Sequence, residues 1–378
     1  MGRRILLLFG GASTEHEISQ RSARTIAEGL LEAGAELAVV GIGRRGDFIP
    51  FHLGLEEISA EDWERRARAQ LEAEGLELNY ALSQGFSVRD LLFALAGGPV
   101  DLVFPAVHGI NCEDGALQGL LTLSGLPYVG SHVLASAACM DKVVTKRLVP
   151  ADIPQLPYLL LERQAIQADI YAEIRYVEEE LAYPCFVKPA NGGSSVGAQK
   201  AGNEEELKLA LEQAAQFDHQ ILVEEFCPAK ELEVAVLGNE TPVAAQVGAI
   251  EVQEEGTFYD YSSKYESATA AVVRVPAEIE DYLAERLRDM ALRIYKSLGC
   301  LGLARVDFFY NEERDAIYFN EINNLPGFTS ISVYPRAFAA AGISVPELVT
   351  RLCDLALEAH SRLQRREWGK EAADGQGQ

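Results

Sequence analysis

The sequence has no pairing pattern among its cysteines. Six are scattered through 378 residues (Cys112, Cys139, Cys185, Cys227, Cys300 and Cys353), with no CxxC among them. A chain of this length can bury cores without cross-links, so these read as small apolar residues in a reducing compartment. None sits in a recognisable nucleophile motif. Basic residues are also scarce: 33 Lys and Arg face 57 Asp and Glu, a net charge of −24. That excludes nucleic acid and anionic membranes as main partners, since both demand clustered cations. A few lysines aimed into one cleft can still hold an anionic substrate. A membrane span is lacking too. Gly115 to Met140 contains no Asp, Glu, Lys or Arg, but Gln118, Gly119, Gly125, Pro127, Gly130 and Ser131 break it into short buried elements. The opening apolar run ends at paired glycines, which is a first strand rather than a signal peptide. No internal repeat is present, and the chain is expected to be cytoplasmic.

What is present is the composition of a soluble globular protein, 48% hydrophobic and 24% charged, long enough for two or three packed domains. Apolar runs at 4–9 and 36–42 flank a stretch where Ile18, Ser22, Ile26 and Leu30 recur at helical spacing, a βαβ unit that predicts a mostly parallel sheet. Residues 57–75 predict one charged amphipathic helix, and 101–107 another strand. Strand patterns follow near 182–190, 198–201, 220–225, 232–237, 243–252, 302–310 and 315–322. Helical patterns cover 204–216, about 278–298 and about 344–364, and a polar tail ends the chain.

Several motifs carry chemistry. Gly10-Gly11-Ala12-Ser13-Thr14-Glu15-His16-Glu17 follows the first strand; its glycines allow a tight turn, and Thr14 with Glu17 fits a capping box. Glu15 is then either a helix-dipole partner or a functional acid. Gly41 to Gly46 formally matches GxGxxG, but no helix follows, so it predicts a hairpin or loop and not a dinucleotide site. His108 opens the loop HGINCEDG at a strand's C-terminal end, where open α/β sheets bind ligands, although a lone His is commonly structural. In Val187–Gly197 a glycine-rich turn follows Lys188. It lacks a P-loop's GK[ST] ending, yet its N–H groups and the Ser194 and Ser195 hydroxyls can cover a triphosphate, with Lys142 and Lys188 neutralising phosphate oxygens. Strand alternation puts Arg305 and Asp307 on one face, and Glu321 and Asn323 on one face of the next strand. Between them, 311–315 predicts a hairpin turn. The converging oxygens suit Mg²⁺, and Arg305 beside them suits a carboxylate or an oxyanion.

Taken in order, GGASTEHE, VHGINCEDG, MDK, VKPANGGSSVG, TFYDYSSKY, ARVDF and NEINNLPGFTS resemble the motifs of the D-alanine–D-alanine ligase family, from residue 4 to about residue 355. The resemblance implies an α/β (α+β) chain, an N-terminal parallel-sheet α/β domain (1–140) followed by a two-part ATP-grasp fold. The latter divides into a central subdomain (141–226) and a catalytic and metal domain (227–365), before a tail (366–378). It implies ATP and two Mg²⁺ ions (or Mn²⁺), D-alanine as substrate, and a homodimer.

By resemblance, Glu15 holds the first substrate's ammonium, and Glu15, Ser194 and Tyr265 form a triad closing an omega loop at about 251–272. His108 stands near the substrates. Lys142, Lys188 and Lys264 bind phosphates. Glu224, Glu225, Phe226 and Glu231 hold adenine and ribose. Asp307, Glu321 and Asn323 ligate the metals, Arg305 and the Gly327 N–H form the oxyanion hole, and Ser332 holds the second substrate's carboxylate. Asn191, Gly192 and Asn324 depart from commoner family residues. A D-alanine–D-lactate ligase is the alternative; those resemble this chain toward the C-terminus, but they lack YDYSSKY and use an omega-loop histidine, and no His lies between His219 and His360. A catalytically silent nucleotide-binding protein would have lost a metal ligand, and none is lost.

Overall fold

The computed structural model describes residues 2–74, 87–193, 196–252 and 271–364. Three sheets organise it. In the first, β1 (Arg4–Gly10) pairs in parallel with β2 (Glu36–Ile42) and with β4 (Leu102–Val107), and β3 (Phe48–Pro50) adds an antiparallel edge to β2. Ile5 to Phe9 are wholly buried, as an unalternating apolar run in a doubly covered parallel strand should be. The helix His16–Glu32 covers this sheet with the stripe Ile18, Ser22, Ile26 and Leu30. The predicted parallel sheet is therefore present, and the GxGxxG segment is the β2–β3 hairpin, closed by Gly43 N–H donating to Asp47 O.

The second sheet is antiparallel, in the order β5 (Tyr158–Glu162), β8 (Gln220–Glu225), β6 (Cys185–Pro189), β7 (Gln199–Ala201). Helices Ile170–Glu180 and Glu204–Phe217 bury Ile174, Val177, Leu207 and Leu211 against it. The third is also antiparallel, in the order β11 (Ala271–Arg274), β10 (Val243–Val252), β9 (Lys230–Gly238), β12 (Gly302–Asn311), β13 (Ala316–Asn323). Helix Asp281–Ser297 packs Leu287, Ala291 and Ile294 on it. The closing helix Val345–Gln364 returns to the first helix, so that Leu348, Val349 and Leu352 share one core with Ile26 and Leu30. Gly29 permits this approach: a Cβ there would meet Val345 Cγ1 at 2.9 Å.

One predicted element is divided. In place of the single helix expected over 57–75, the described residues form a 3₁₀ turn (Leu55–Ser59) and a separate helix (Trp63–Ala73), because Ala60 takes an extended backbone between them. Trp63 then seals the core against Phe9 and Phe51.

Candidate active site

The first site element lies where β1 ends. Gly10 and Gly11 have φ of 88° and 121°, which only glycine adopts readily. The predicted capping box does not form. The helix starts at His16 with Glu15 as N-cap and no side-chain cap among the described residues, and Glu17 instead pairs with Arg44. Ser13 makes the turn, its Oγ accepting from Glu15 N–H (3.2 Å) and donating to His108 O (2.7 Å). Glu15 is buried, with its carboxylate against the backbones of Gly109 and Gly193. The glycine-rich turn thus reaches the mouth of the first βα unit.

His108 is buried and engaged at both ring nitrogens. Nδ1 lies 2.9 Å from Leu325 O and Nε2 lies 3.1 Å from Ser22 Oγ. Burial holds its basicity below the usual value, although Glu15 pulls the other way. Glu113, also buried, accepts from Gly109 N–H (3.0 Å), and burial beside Glu15 raises its pKa well above the carboxylate range. The neighbouring Cys112 thiol is pushed up to about 12 by burial, so it is inert as a nucleophile.

The acids converge through sheet register. β12 pairs Asp307 with Glu321 on one side and with Glu233 on the other, so three carboxylates form a row across β9, β12 and β13. Glu231, Glu233 and Asp307 can each bring an oxygen within 4.8 Å of the other two. Arg305 grips Asp307 with two bonds (2.8 and 2.7 Å) and lies 3.1 Å from Glu233. Asn323 Nδ2 donates to Asp307 (3.1 Å). Even so, burial and the nearby Glu321 and Glu231 push the Asp307 carboxyl up to about 6, against the pull of Arg305. Lys142 bridges the row to the glycine-rich turn, donating to Gly192 O (2.7 Å) with its Nζ 3.7 Å from Glu321.

Behind the row lies a buried ionic cluster. Glu224 pairs with Lys188 and, at 2.6 Å, with Lys146, and Lys188 also donates to Asn320 (3.2 Å). Lys146 carries its charge 5.2 Å from the Tyr158 ring centre. Burial opposes ionisation of Glu224, but the two lysines outweigh it and hold the carboxyl at about 2. A depressed carboxylate stabilises the fold above its ordinary 4.5, and that contribution fades as pH falls from there through about 2. Lys146→Met should therefore lower stability by ~2–3 kcal/mol at pH 7 and start acid unfolding at a higher pH. Urea titrations across pH 3 to 7 measure both; an unchanged midpoint would mean that Lys188 alone satisfies Glu224.

Residues 4–131 match the model of the D-ala D-ala ligase N-terminus, and 148–354 that of the D-ala D-ala ligase C-terminus. The chain belongs to the D-alanine–D-alanine ligase family. It is 45% identical to the D-alanine–D-alanine ligase of Deinococcus radiodurans, over 95% of this chain and 99% of that one. Identity to the enzyme of Ruminiclostridium cellulolyticum is 42%, over 96% and 97%. Among solved structures, the VanG D-Ala:D-Ser ligase of Enterococcus faecalis superposes with a TM-score of 0.79 at 34% identity, over 94% of this chain and 100% of that one. The fold is accordingly ATP-grasp, and family members are ATP-dependent ligases.

Set against this family, the structure links Glu15, His108, Lys142, Lys188, Glu224, Glu231, Arg305, Asp307, Glu321 and Asn323 into one group through strand register, ion pairs and charge interactions. Gly327 and Ser332 lie on the turn after β13, where Ser332 Oγ accepts from Thr329 N–H (3.1 Å) at the start of helix Val333–Ala340. Glu225 lies 3.8 Å from Arg314, and Lys200 sits 4.0 Å over the Phe226 ring, occupying one face of it. Ser194, Ser195, Lys264 and Tyr265, with most of the expected omega loop, lie outside the described residues. Sequence reasoning missed Glu233, Lys146, Glu113 and Ser22. Two carried a local signal without a partner: Glu233 alternates with Glu231 on one strand, and Ser22 belongs to the helical stripe.

Proposed function

We infer that this ligase joins two D-alanines into D-alanyl-D-alanine for peptidoglycan synthesis, using ATP to form an acyl phosphate from the first. The observation that carries this reading is the convergence of Arg305, Asp307 and Glu321 on β12 and β13 with Lys142 at 3.7 Å, close enough to Glu15 and His108 for their charges to be coupled. A carboxylate is a poor electrophile, and phosphorylation turns its oxygen into a leaving group.

In this reading Glu15 pairs with the first D-alanine's ammonium, while Lys142 and Lys188 neutralise phosphate oxygens. Lys188 exchanges Glu224 for phosphate as ATP enters, and Lys146 stays with Glu224 to keep it ionised for the adenine amino group. Glu225, Phe226 and Glu231 complete the nucleotide contacts. The neutral amine of the second D-alanine, its carboxylate held by Ser332, attacks the acyl carbon, and Arg305 with the Gly327 N–H stabilises the oxyanion. The row of hard carboxylate oxygens fits Mg²⁺ (or Mn²⁺), with Asp307, Glu321 and Asn323 as its ligands; when bound, the metal offsets charge on the transferring phosphoryl group. Ser194, Ser195, Lys264 and Tyr265 are assigned to the covering loops that keep water from the acyl phosphate.

The domain limits proposed are 1–140, 141–226 and 227–365. A homodimer is supported by Leu123 (77% exposed) and Leu134 (82%), which project from two helices that contact each other. No helix among the described residues is long and apolar enough to cross a membrane, in keeping with a cytoplasmic site of action.

Competition among equal D-alanine, D-serine and D-lactate at pH 6 to 9 tests the acceptor. D-Alanyl-D-alanine should dominate over D-alanyl-D-lactate throughout, because a neutral omega-loop Tyr265 does not repel an approaching ammonium as a partly protonated histidine would, and the D-serine arm reads how the site treats a second ammonium acceptor. Predominant D-alanyl-D-lactate or D-alanyl-D-serine at pH 7 would overturn the assignment.

A further inference from the structure

The His108 ring belongs to a closed hydrogen-bond circuit that neither the motifs nor the expected mechanism use. Ser22 is buried on the face of the first helix that meets β4. Its Oγ accepts from Phe328 N–H (3.0 Å) and lies 3.1 Å from His108 Nε2. His108 Nδ1 lies 2.9 Å from Leu325 O, and a carbonyl oxygen only accepts, so the Nδ1 proton is donated there. Nε2 is then the acceptor, and the Ser22 hydroxyl must donate to it. Every group in the circuit has one consistent role: Phe328 N–H to Ser22 Oγ, Ser22 O–H to Nε2, Nδ1–H to Leu325 O.

We propose that Ser22 is a positioning residue for the amide-forming step, clasping His108 in its Nδ1–H form and, through Phe328 and Leu325, pinning the turn that carries the Gly327 N–H. This deepens the proposed function and rests on it. Two amides flank the point at issue: Phe328 N–H is held by Ser22, and the Leu325 carbonyl by His108. Gly327 lies between, so the direction of its N–H depends on both anchors. A neutral ring with both nitrogens occupied orients groups and does not collect the amine's proton. The charged groups coupled to the ring are Glu15, from the start of the same helix as Ser22, and Arg305, from β12. Their effects on its protonation oppose each other, while burial disfavours the imidazolium. Phosphoryl transfer engages Lys142 and Lys188, which the circuit does not touch. Loosening the clasp should therefore slow attack on the acyl phosphate and leave its formation intact, exposing the intermediate to water.

The experiment compares full-length wild type with Ser22→Ala and Ser22→Thr, measuring phosphate released per dipeptide formed. This ratio does not depend on the fraction of enzyme folded, so a loss of stability leaves it interpretable. Ser22→Ala should raise the ratio from near one to about three or more and lower dipeptide turnover ~10-fold, with the ATP KM within twofold of wild type. Ser22→Thr, which keeps the hydroxyl, should bring the ratio back toward one. Nitrogen-15 spectra of the histidine rings supply an independent readout: Ser22→Ala should move the His108 Nε2 resonance downfield while Nδ1 stays protonated. A ratio that stays near one in Ser22→Ala, or an unmoved Nε2 resonance, overturns the proposal. Wild type that forms no dipeptide would instead sink the functional reading, and the Nε2 resonance would still decide whether the clasp exists.

Discussion

Glu321→Gln should lower dipeptide formation by ~10²-fold or more and raise the Mg²⁺ concentration needed for half-maximal rate. The side chains are nearly isosteric, so the fold should survive and the change is in charge. Glu321 lies on β13 directly across from Asp307 on β12, at the edge of the carboxylate row nearest Lys142. Burial first, and then the nearby Glu321 and Glu231, push Asp307 up to about 6 despite its two bonds to Arg305. A divalent cation would relieve the mutual repulsion, and removing one charge from the row weakens its hold. Steady-state rates at a series of Mg²⁺ concentrations, with calorimetric Mg²⁺–nucleotide binding as a second readout, measure the effect. Near-normal turnover with unchanged Mg²⁺ dependence would place the metal elsewhere.

How far the sequence revealed this site depended on whether a residue's partner was local. Arg305, Asp307, Glu321 and Asn323 alternate with apolar neighbours on two strands joined by a short turn, so period-two reading placed them together before any coordinates. Glu233 joins the row only because β9 pairs with β12 across some seventy intervening residues, a register that no local pattern specifies. Lys146 stands in the run KVVTKR, which reads as an ordinary charged helix surface; its burial follows from Glu224 arriving on β8. Ser22 was legible as part of a buried helical stripe, but its partners His108 and Phe328 come from two other regions. Asn324, noted as a departure from commoner family residues, donates to Glu113 O and Ser136 Oγ, tying the turn after β13 to the N-terminal loops. The misread capping box has a tertiary cause as well. Thr14 and Glu17 satisfied the local pattern, but Arg44 at the β2–β3 hairpin took Glu17. For Glu233, Lys146, Ser22 and Glu17, local periodicity set the element and a distant partner set the role.

Arg305→Lys, which keeps the charge, should nevertheless abolish most of the activity, ~10²- to 10³-fold in kcat. The guanidinium lies between two buried carboxylates, bonded twice to Asp307 and 3.1 Å from Glu233, which fixes its plane. An oxyanion donor helps only if it is already aimed where charge will develop, and a fork held by two acids is so aimed. Lysine offers one compact ammonium that can serve Asp307 or Glu233, but not both while also facing a substrate. Arg305→Ala is the poorer test, because it strands two buried acids and confounds folding with catalysis. The expected pattern for Arg305→Lys is a large fall in kcat with an ATP KM changed by no more than about threefold, since the nucleotide contacts proposed above do not include Arg305. Thermal unfolding should drop only modestly, because the buried charge balance is kept. If the variant loses ATP affinity and kcat together, Arg305 belongs to the nucleotide site. If kcat falls alone, its work is done at the acyl carbon, where two D-alanines become one dipeptide.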